Sequence, residues 1–250
     1  MKIVALIQAR MRSTRLPGKV LLPIGEASCL EHCYRRVQHG MNGAGATAVL
    51  TTRDTANSPI RDLCRAQSLA SVRVAIHEGE VLLRHWFAAA EIGAEWVIRV
   101  TSDCPFIEPE AIGTVLERIR SAKDDDGFVY DRTEITTLPH GWDVQAFRTN
   151  VLWRMVQDVG ESVDREHCGV PYLLRHMQNG GMVSLHPRYE LGHETQDRST
   201  WRWVLDTPED YAWFQEIAKH VPTNPPHPTT QELFDLFERR PDLIRYEEDA

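Results

Sequence analysis

The sequence predicts an α/β fold built on a doubly wound, predominantly parallel sheet with a smaller lobe. Three observations predict it. The chain opens on the apolar run Ile3-Val4-Ala5-Leu6-Ile7, which reads as a buried strand. Strand-like and helix-like segments then alternate for about the first half of the chain. Several of those helical segments begin at cap signals: Ser28-Cys29-Leu30-Glu31, Ser58-Pro59 and Glu108-Pro109.

Taken in order, the first strand runs into a basic loop, Gln8 to Lys19. A helix follows from Ser28, a second strand covers Ala46 to Thr52, and a helix starts at Ser58. Val72 to Ile76 is a short strand. Val81 to Ile92 is a helix with Leu82, Leu83, Trp86, Phe87 and Ala90 at helical spacing. Trp96 to Val100 is the fourth strand, and a helix opens at Glu108. The second half is less regular. Strands are expected at Val144 to Phe147, Met182 to His186 and Trp201 to Leu205. Helices are expected at Val151 to Val159, Glu166 to Met177, Thr207 to about Ala218 and Gln231 to Arg239. Pro222 to Pro228 is a proline-rich linker, and the acidic tail is expected to fray. No clean boundary divides the chain, so residues 1–250 read as one domain in which about 125–200 form a lobe.

Composition narrows the function. A net charge of -8 argues against nucleic-acid partners and anionic membranes. No apolar run approaches membrane-spanning length, and Met1-Lys2 leads into the first strand without a secretion signal. Five cysteines without paired spacing read as reduced thiols of a cytoplasmic protein.

The local charge is opposite to the global one. Arg10, Arg12, Arg15 and Lys19 fall within ten residues behind the first strand. Open α/β sheets bind ligands at the carboxyl ends of their strands. Forked arginine donors and a lysine point charge there suit a polyphosphate. Pro17-Gly18 turns Lys19 back toward the loop. The spacing is not that of a Walker loop. Asp103 follows the fourth strand, where a carboxylate can hold Mg²⁺ against a phosphate or serve as a turn or cap residue. Asp206 ends the strand expected at 201–205 and has the same two readings.

The run Gln8-Ala9-Arg10-Met11-Arg12-Ser13-Thr14-Arg15-Leu16-Pro17-Gly18-Lys19 resembles the opening motif of the SpsF-type cytidylyltransferases, Q-A-R-M-x-S-T-R-L-P-G-K, relatives of the acylneuraminate and ketodeoxyoctonate cytidylyltransferases. Val100-Thr101-Ser102-Asp103-Cys104-Pro105 is similar to their R-x-T-x-D-C-P, and Gly141-Trp142-Asp143-Val144-Gln145-Ala146-Phe147 to their G-L-D-V-E-x-F. Asp164-Arg165-Glu166-His167 is similar to x-R-E-H, and Asp206-Thr207-Pro208-Glu209-Asp210 to D-T-x-E-D. Five blocks in family order make the resemblance strong.

The resemblance implies a Rossmann-like, GT-A-like nucleotidyltransferase sheet, CTP as substrate, Mg²⁺ as cofactor and a homodimer. It implies a catalytic set of Arg10, Lys19 and Asp103, and Asp103 and Asp206 as metal ligands. It places the nucleotide on Ala9, Arg10, Ser13, Thr14, Arg15, Lys19, Thr51, Thr52 and Asp103. Acceptor contacts fall on Arg12, His140, Asp143, Gln145, Arg165, Glu166 and His167. The family usually carries Glu where this chain has Gln145, and Gly or Ser where it has Arg12. Added positive and lost negative charge lean the expectation toward a small anionic acceptor of the phosphonate or phosphinate class. The alternatives are an acylneuraminate-like sugar acid, or a nucleotide-binding protein without turnover. The arginine with which the family reads the base is missing from Ile76-His77-Glu78-Gly79.

Overall fold

The computed structural model describes residues 1–122, 128–130, 139–160, 162–178 and 197–247. Its main sheet has six strands in the order β5-β4-β1-β6-β8-β7. These are β1 (Ile3–Gln8), β4 (Ala46–Thr52), β5 (Ser71–Val74), β6 (Trp96–Thr101), β7 (Phe128–Tyr130) and β8 (Gln145–Arg148). The four strands expected in the first half are parallel, and β1, β4 and β6 at the centre carry the buried apolar residues typical of such sheets. β8 and β7 close the far edge antiparallel. A two-stranded ribbon, β2 (Pro23–Ile24) and β3 (Ala27–Ser28), lies between the basic loop and the first helix.

Helices cover both faces. On one, α1 (Cys29–Met41), α2 (Ser58–Ala66), α4 (Pro109–Ser121), α8 (Pro208–Ile217) and α9 (Thr230–Arg239) pack through Leu30, Val37, Ile60, Ile112, Phe214 and Leu233. On the other, α3 (Val81–Ile92), α5 (Thr149–Asp158) and α7 (Val170–Gln178) pack through Leu82, Leu152, Met155 and Leu173. The described part of 125–200 thus shares the core of the sheet. The cap of α1 works as the sequence implies, Ser28 Oγ accepting from the Glu31 amide at 3.2 Å, whereas α2 starts after Asn57 without a side-chain cap.

Three segments differ from expectation. The helix expected at Glu166 to Met177 is broken into α6 (Ser162–Glu166) and α7, because Cys168 and Gly169 take φ of +57° and +76°. Trp201 to Leu205 forms no strand. Among the described residues it makes only single bridges, His140 with Arg202 and Trp201 with Tyr246. Met182 to His186 lies outside the described residues.

This topology positions a site. The chain runs outward from β1 to β4 and β5, then returns to β6 on the other side of β1. A switch point between β1 and β6 is the place where such sheets open a crevice. Gln8 pairs with Thr101, so the loops after both strands leave at the same level.

Two buried histidines make the core acid-sensitive. His32 Nε2 meets the Ile24 carbonyl at 2.8 Å, and His85 Nδ1 meets that of Val81 at 2.8 Å, while the second nitrogen of each ring has no partner among the described residues. Burial pulls His32 down to about 4 and His85 well below its ordinary value. Both stay neutral in the fold, whereas the unfolded chain takes up protons near pH 6.5. Their contribution is complete above that pH and is lost as pH falls toward 4. Lowering the pH from 7 to 5 is expected to cost about 2 kcal/mol through His32 alone. Thermal unfolding midpoints should fall accordingly, and His32→Gln should flatten the dependence; a midpoint unchanged over this range would contradict the assignment.

Candidate active site

The basic loop is held by its backbone and by its own turn. The Ala9 amide donates to Leu50 O at 3.0 Å, and the Met11 amide to Asn57 Oδ1 at 2.8 Å. Gly18 adopts φ +73°, and its amide donates back to Met11 O at 2.9 Å. That left-handed residue reverses the chain, as Gly does at little cost. Lys19 then begins a short 3₁₀ turn with Val20 buried beneath it, and its side chain points into the crevice rather than to solvent.

Lys19 Nζ lies 2.6 Å from Asp103 Oδ2 and 2.5 Å from Asp206 Oδ1. One ammonium therefore joins two carboxylates far apart in sequence. Arg15 Nη2 meets the other oxygen of Asp206 at 2.7 Å, and Arg202 approaches it at 3.5 Å. Burial works against the charge on Lys19, but Asp103 and Asp206 outweigh it and raise its pKa. Burial likewise works against the Asp103 carboxylate, and Lys19 outweighs it, holding its pKa below the ordinary value.

Neither aspartate caps a helix. Glu108 accepts from the Glu110 amide at 3.2 Å and caps α4. Thr207 and Asp210 form a reciprocal capping box at the start of α8. The Asp103 and Asp206 carboxylates are thereby left to the crevice. Their backbones are tied together, Leu205 N donating to Asp103 O at 2.8 Å. An aromatic cluster fixes both loops from behind. Trp142 packs against Trp203 edge to face at 5.1 Å, and its Nε1 donates to Phe106 O at 2.9 Å. Trp142 is thus a buried anchor for these loops.

The crevice is a cavity of about 390 Å³, within the roughly 300–1,000 Å³ of small-molecule sites. It brings together Ala9, Arg10, Ser13, Thr14, Arg15, Lys19, Asp103 and Asp206 with Glu166 and His167 of the second half. Arg10 Nη2 pairs with Glu166 Oε1 at 2.9 Å, closing one side. The remaining expected contacts lie outside the lining. Thr51 and Thr52 are buried in β4, where Thr52 Oγ1 accepts from Asn57 Nδ2 at 2.8 Å. Arg12 pairs with Asp54 at 2.9 Å, His140 with Glu247 at 2.8 Å and Arg165 with Glu80 at 3.4 Å. Asp143 accepts from the Gly141 amide at 3.3 Å. Gln145 is buried in β8, where its Oε1 accepts from Arg99 Nη1. The charge argument for a phosphonate-type acceptor therefore fails. Arg12 is compensated by Asp54 outside the cavity, and Gln145 meets a protein guanidinium.

Sequence reasoning missed two charged members of the lining, Arg84 and Arg99. The available signal was a charged residue on a buried surface: Arg99 interrupts the apolar strand β6, and Arg84 sits among the packed residues of α3.

Cation-bearing donors around a carboxylate pair can hold a triphosphate with its counter-ion, and known proteins share the arrangement's frame. The cytidylyltransferase family model matches residues 4–235. The spore coat polysaccharide biosynthesis protein SpsF of Bacillus subtilis is 28% identical over 244 residues, covering 96% of this chain and 95% of that one. The 3-deoxy-manno-octulosonate cytidylyltransferase of Mesorhizobium japonicum is 31% identical over 201 residues, covering 75% and 80%. A solved cytidylyltransferase from Leptospira borgpetersenii superposes with a TM-score of 0.84 at 24% identity, covering 98% and 97%. A CMP:2-keto-3-deoxy-manno-octonic acid synthetase complexed with CTP superposes at 0.61 and 20% identity, covering 88% and 99%. With the motif order, the parallel sheet and the family match in agreement, this chain belongs to the SpsF-type cytidylyltransferases, enzymes that transfer CMP from CTP.

Proposed function

We propose that the enzyme joins CMP to a hydroxyl of a carboxylated sugar, releasing pyrophosphate. The observation that carries the reading is the Lys19 bridge between Asp103 and Asp206 beside a loop of cations. The sugar acid follows the named relative, a 3-deoxy-manno-octulosonate cytidylyltransferase.

The loop supplies the electrostatics. Arg15, Lys19 and Arg10 lie along one wall, with Ser13 and Thr14 as further donors. Their charges neutralise the β- and γ-phosphates, so that pyrophosphate departs when the acceptor oxygen attacks the α-phosphorus. Lys19 is held inside the crevice by two partners before the ligand arrives, within reach of a phosphate that displaces them.

Asp103 and Asp206 fit a divalent cation. They are two carboxylates within reach of one positive centre, and Mg²⁺ is held by one or two carboxylates with substrate phosphates and water. When bound, the cation would supply charge neutralisation across the phosphates and acidify the acceptor hydroxyl. Lys19 would then turn from the carboxylates to the phosphate oxygens.

Asp103→Asn should abolish most pyrophosphate release from CTP while leaving the unfolding midpoint near that of the wild type. Full activity of this variant in Mg²⁺ would refute the metal role. Lys19→Ala should lower turnover by roughly 10²–10³, the usual loss for one preorganised donor. Steady-state assays with CTP and a panel of sugar acids test both; unchanged turnover in Lys19→Ala would assign the loop elsewhere.

A further inference from the structure

The cavity has a second pair of cations, which the transfer chemistry described above does not use. Arg84 projects from the first turns of α3, and Arg99 from the middle of β6. Both line the cavity, and their relative exposures are 1% and 7%. Burying a guanidinium is costly unless its charge is met. Here the hydrogen-bond partners are neutral. Arg84 Nη1 donates to the backbone carbonyl of Glu78 at 2.9 Å, and its Nε has no partner among the described residues. The Glu78 carboxylate acts on Arg84 only through space. Arg99 Nε donates to Gln8 Oε1 at 3.0 Å, and its Nη1 to Gln145 Oε1.

Burial, with Arg10 and Arg99 nearby, pulls Arg84 down to about 10, so it remains protonated at neutral pH. Two buried cations facing one space, each held by neutral oxygens, call for an anion from the ligand. The triphosphate is already matched by Arg15 and Lys19 beside Asp103 and Asp206. Cytosine is neutral and would leave both charges uncompensated. The anion left over in the reaction is the acceptor's own.

We propose that Arg84 and Arg99 form the subsite that binds the carboxylate of the acceptor, with Gln145 orienting Arg99 while leaving its charge available. The inference rests on the proposed sugar-acid reading and adds the residues that select it. Gln145 thus affects the acceptor through Arg99 and not by direct contact. A Glu at that position would neutralise Arg99 inside the protein.

Calorimetric titration of 3-deoxy-manno-octulosonate and of N-acetylneuraminate into the full-length protein with CTP and Ca²⁺ tests this without turnover. Arg84→Met is expected to weaken binding of the sugar acid that the wild type accepts by roughly 10- to 100-fold, the range of a charge-assisted hydrogen bond. Arg84→Lys should recover part of the loss. Gln145→Glu, a change of one side-chain atom at an unchanged packing position, should weaken the same binding. CTP affinity should be unaltered in all three. Equal weakening of CTP and sugar acid in Arg84→Met and Gln145→Glu would assign the pair to the nucleotide and overturn the proposal. So would wild-type binding of neither sugar acid, or variants that bind as the wild type does. Sugar-acid binding through Arg84 without pyrophosphate release in Mg²⁺ would uphold the subsite and contradict the proposed reaction instead.

Discussion

One ammonium between two carboxylates organises this site. Lys19 Nζ holds Asp103 from the β6 loop and Asp206 from the segment before α8. Removing it would leave two half-buried carboxylates close together with only Arg15 and Arg202 on one of them, and like charges at that range repel. Much of the surrounding fold serves that contact. Gly18 turns the basic loop back, Thr207 takes over the cap of α8, and Trp142 braces both aspartate loops from the core. Lys19 and Arg15 balance the two carboxylates within the protein, so both aspartates are held in place before any ligand arrives.

Charge within the cavity is divided by partner. Lys19 and Arg15 are paired with acidic side chains, which suits a polyphosphate that arrives with a divalent counter-ion. Arg84 and Arg99 rest on neutral partners, which suits a bare anion. A chain of net charge -8 thereby offers two differently prepared cationic surfaces within one crevice. Glu166 and His167 reach the same crevice from the C-terminal end of the short helix α6, so the second half of the chain completes a site that the parallel sheet begins.

Local signals made the parallel half legible. Apolar runs marked β1 and, broken at Arg99, β6, while cap or proline signals marked the starts of α1, α2 and α4, because these depend only on neighbours in sequence. The cationic loop was legible for the same reason. The break at Cys168 and Gly169 was not, since a non-glycine residue at positive φ leaves no periodic trace. Nor was the absence of a strand at Trp201 to Leu205, where the apolar pattern reflects aromatic packing with Phe234 and Phe237. Gln145 and Arg12 were misread through their partners. Arg99 and Asp54 are brought to them only by tertiary folding, which their neighbours in sequence do not show. Arg84 and Arg99 were overlooked because a charge in an apolar pattern looks like an exception, when in a buried element it marks a requirement.

Binding of Mn²⁺ with and without CTP, followed by the loss of its free-ion magnetic resonance signal, bears most directly on the central contact. With Lys19 seated between Asp103 and Asp206, the wild type should take up Mn²⁺ weakly alone and tightly once CTP draws the ammonium away. Lys19→Met should bind the ion without nucleotide, and Asp103→Asn should not bind it tightly in either condition. Tight binding by the wild type without CTP, or by Asp103→Asn with it, would contradict the account.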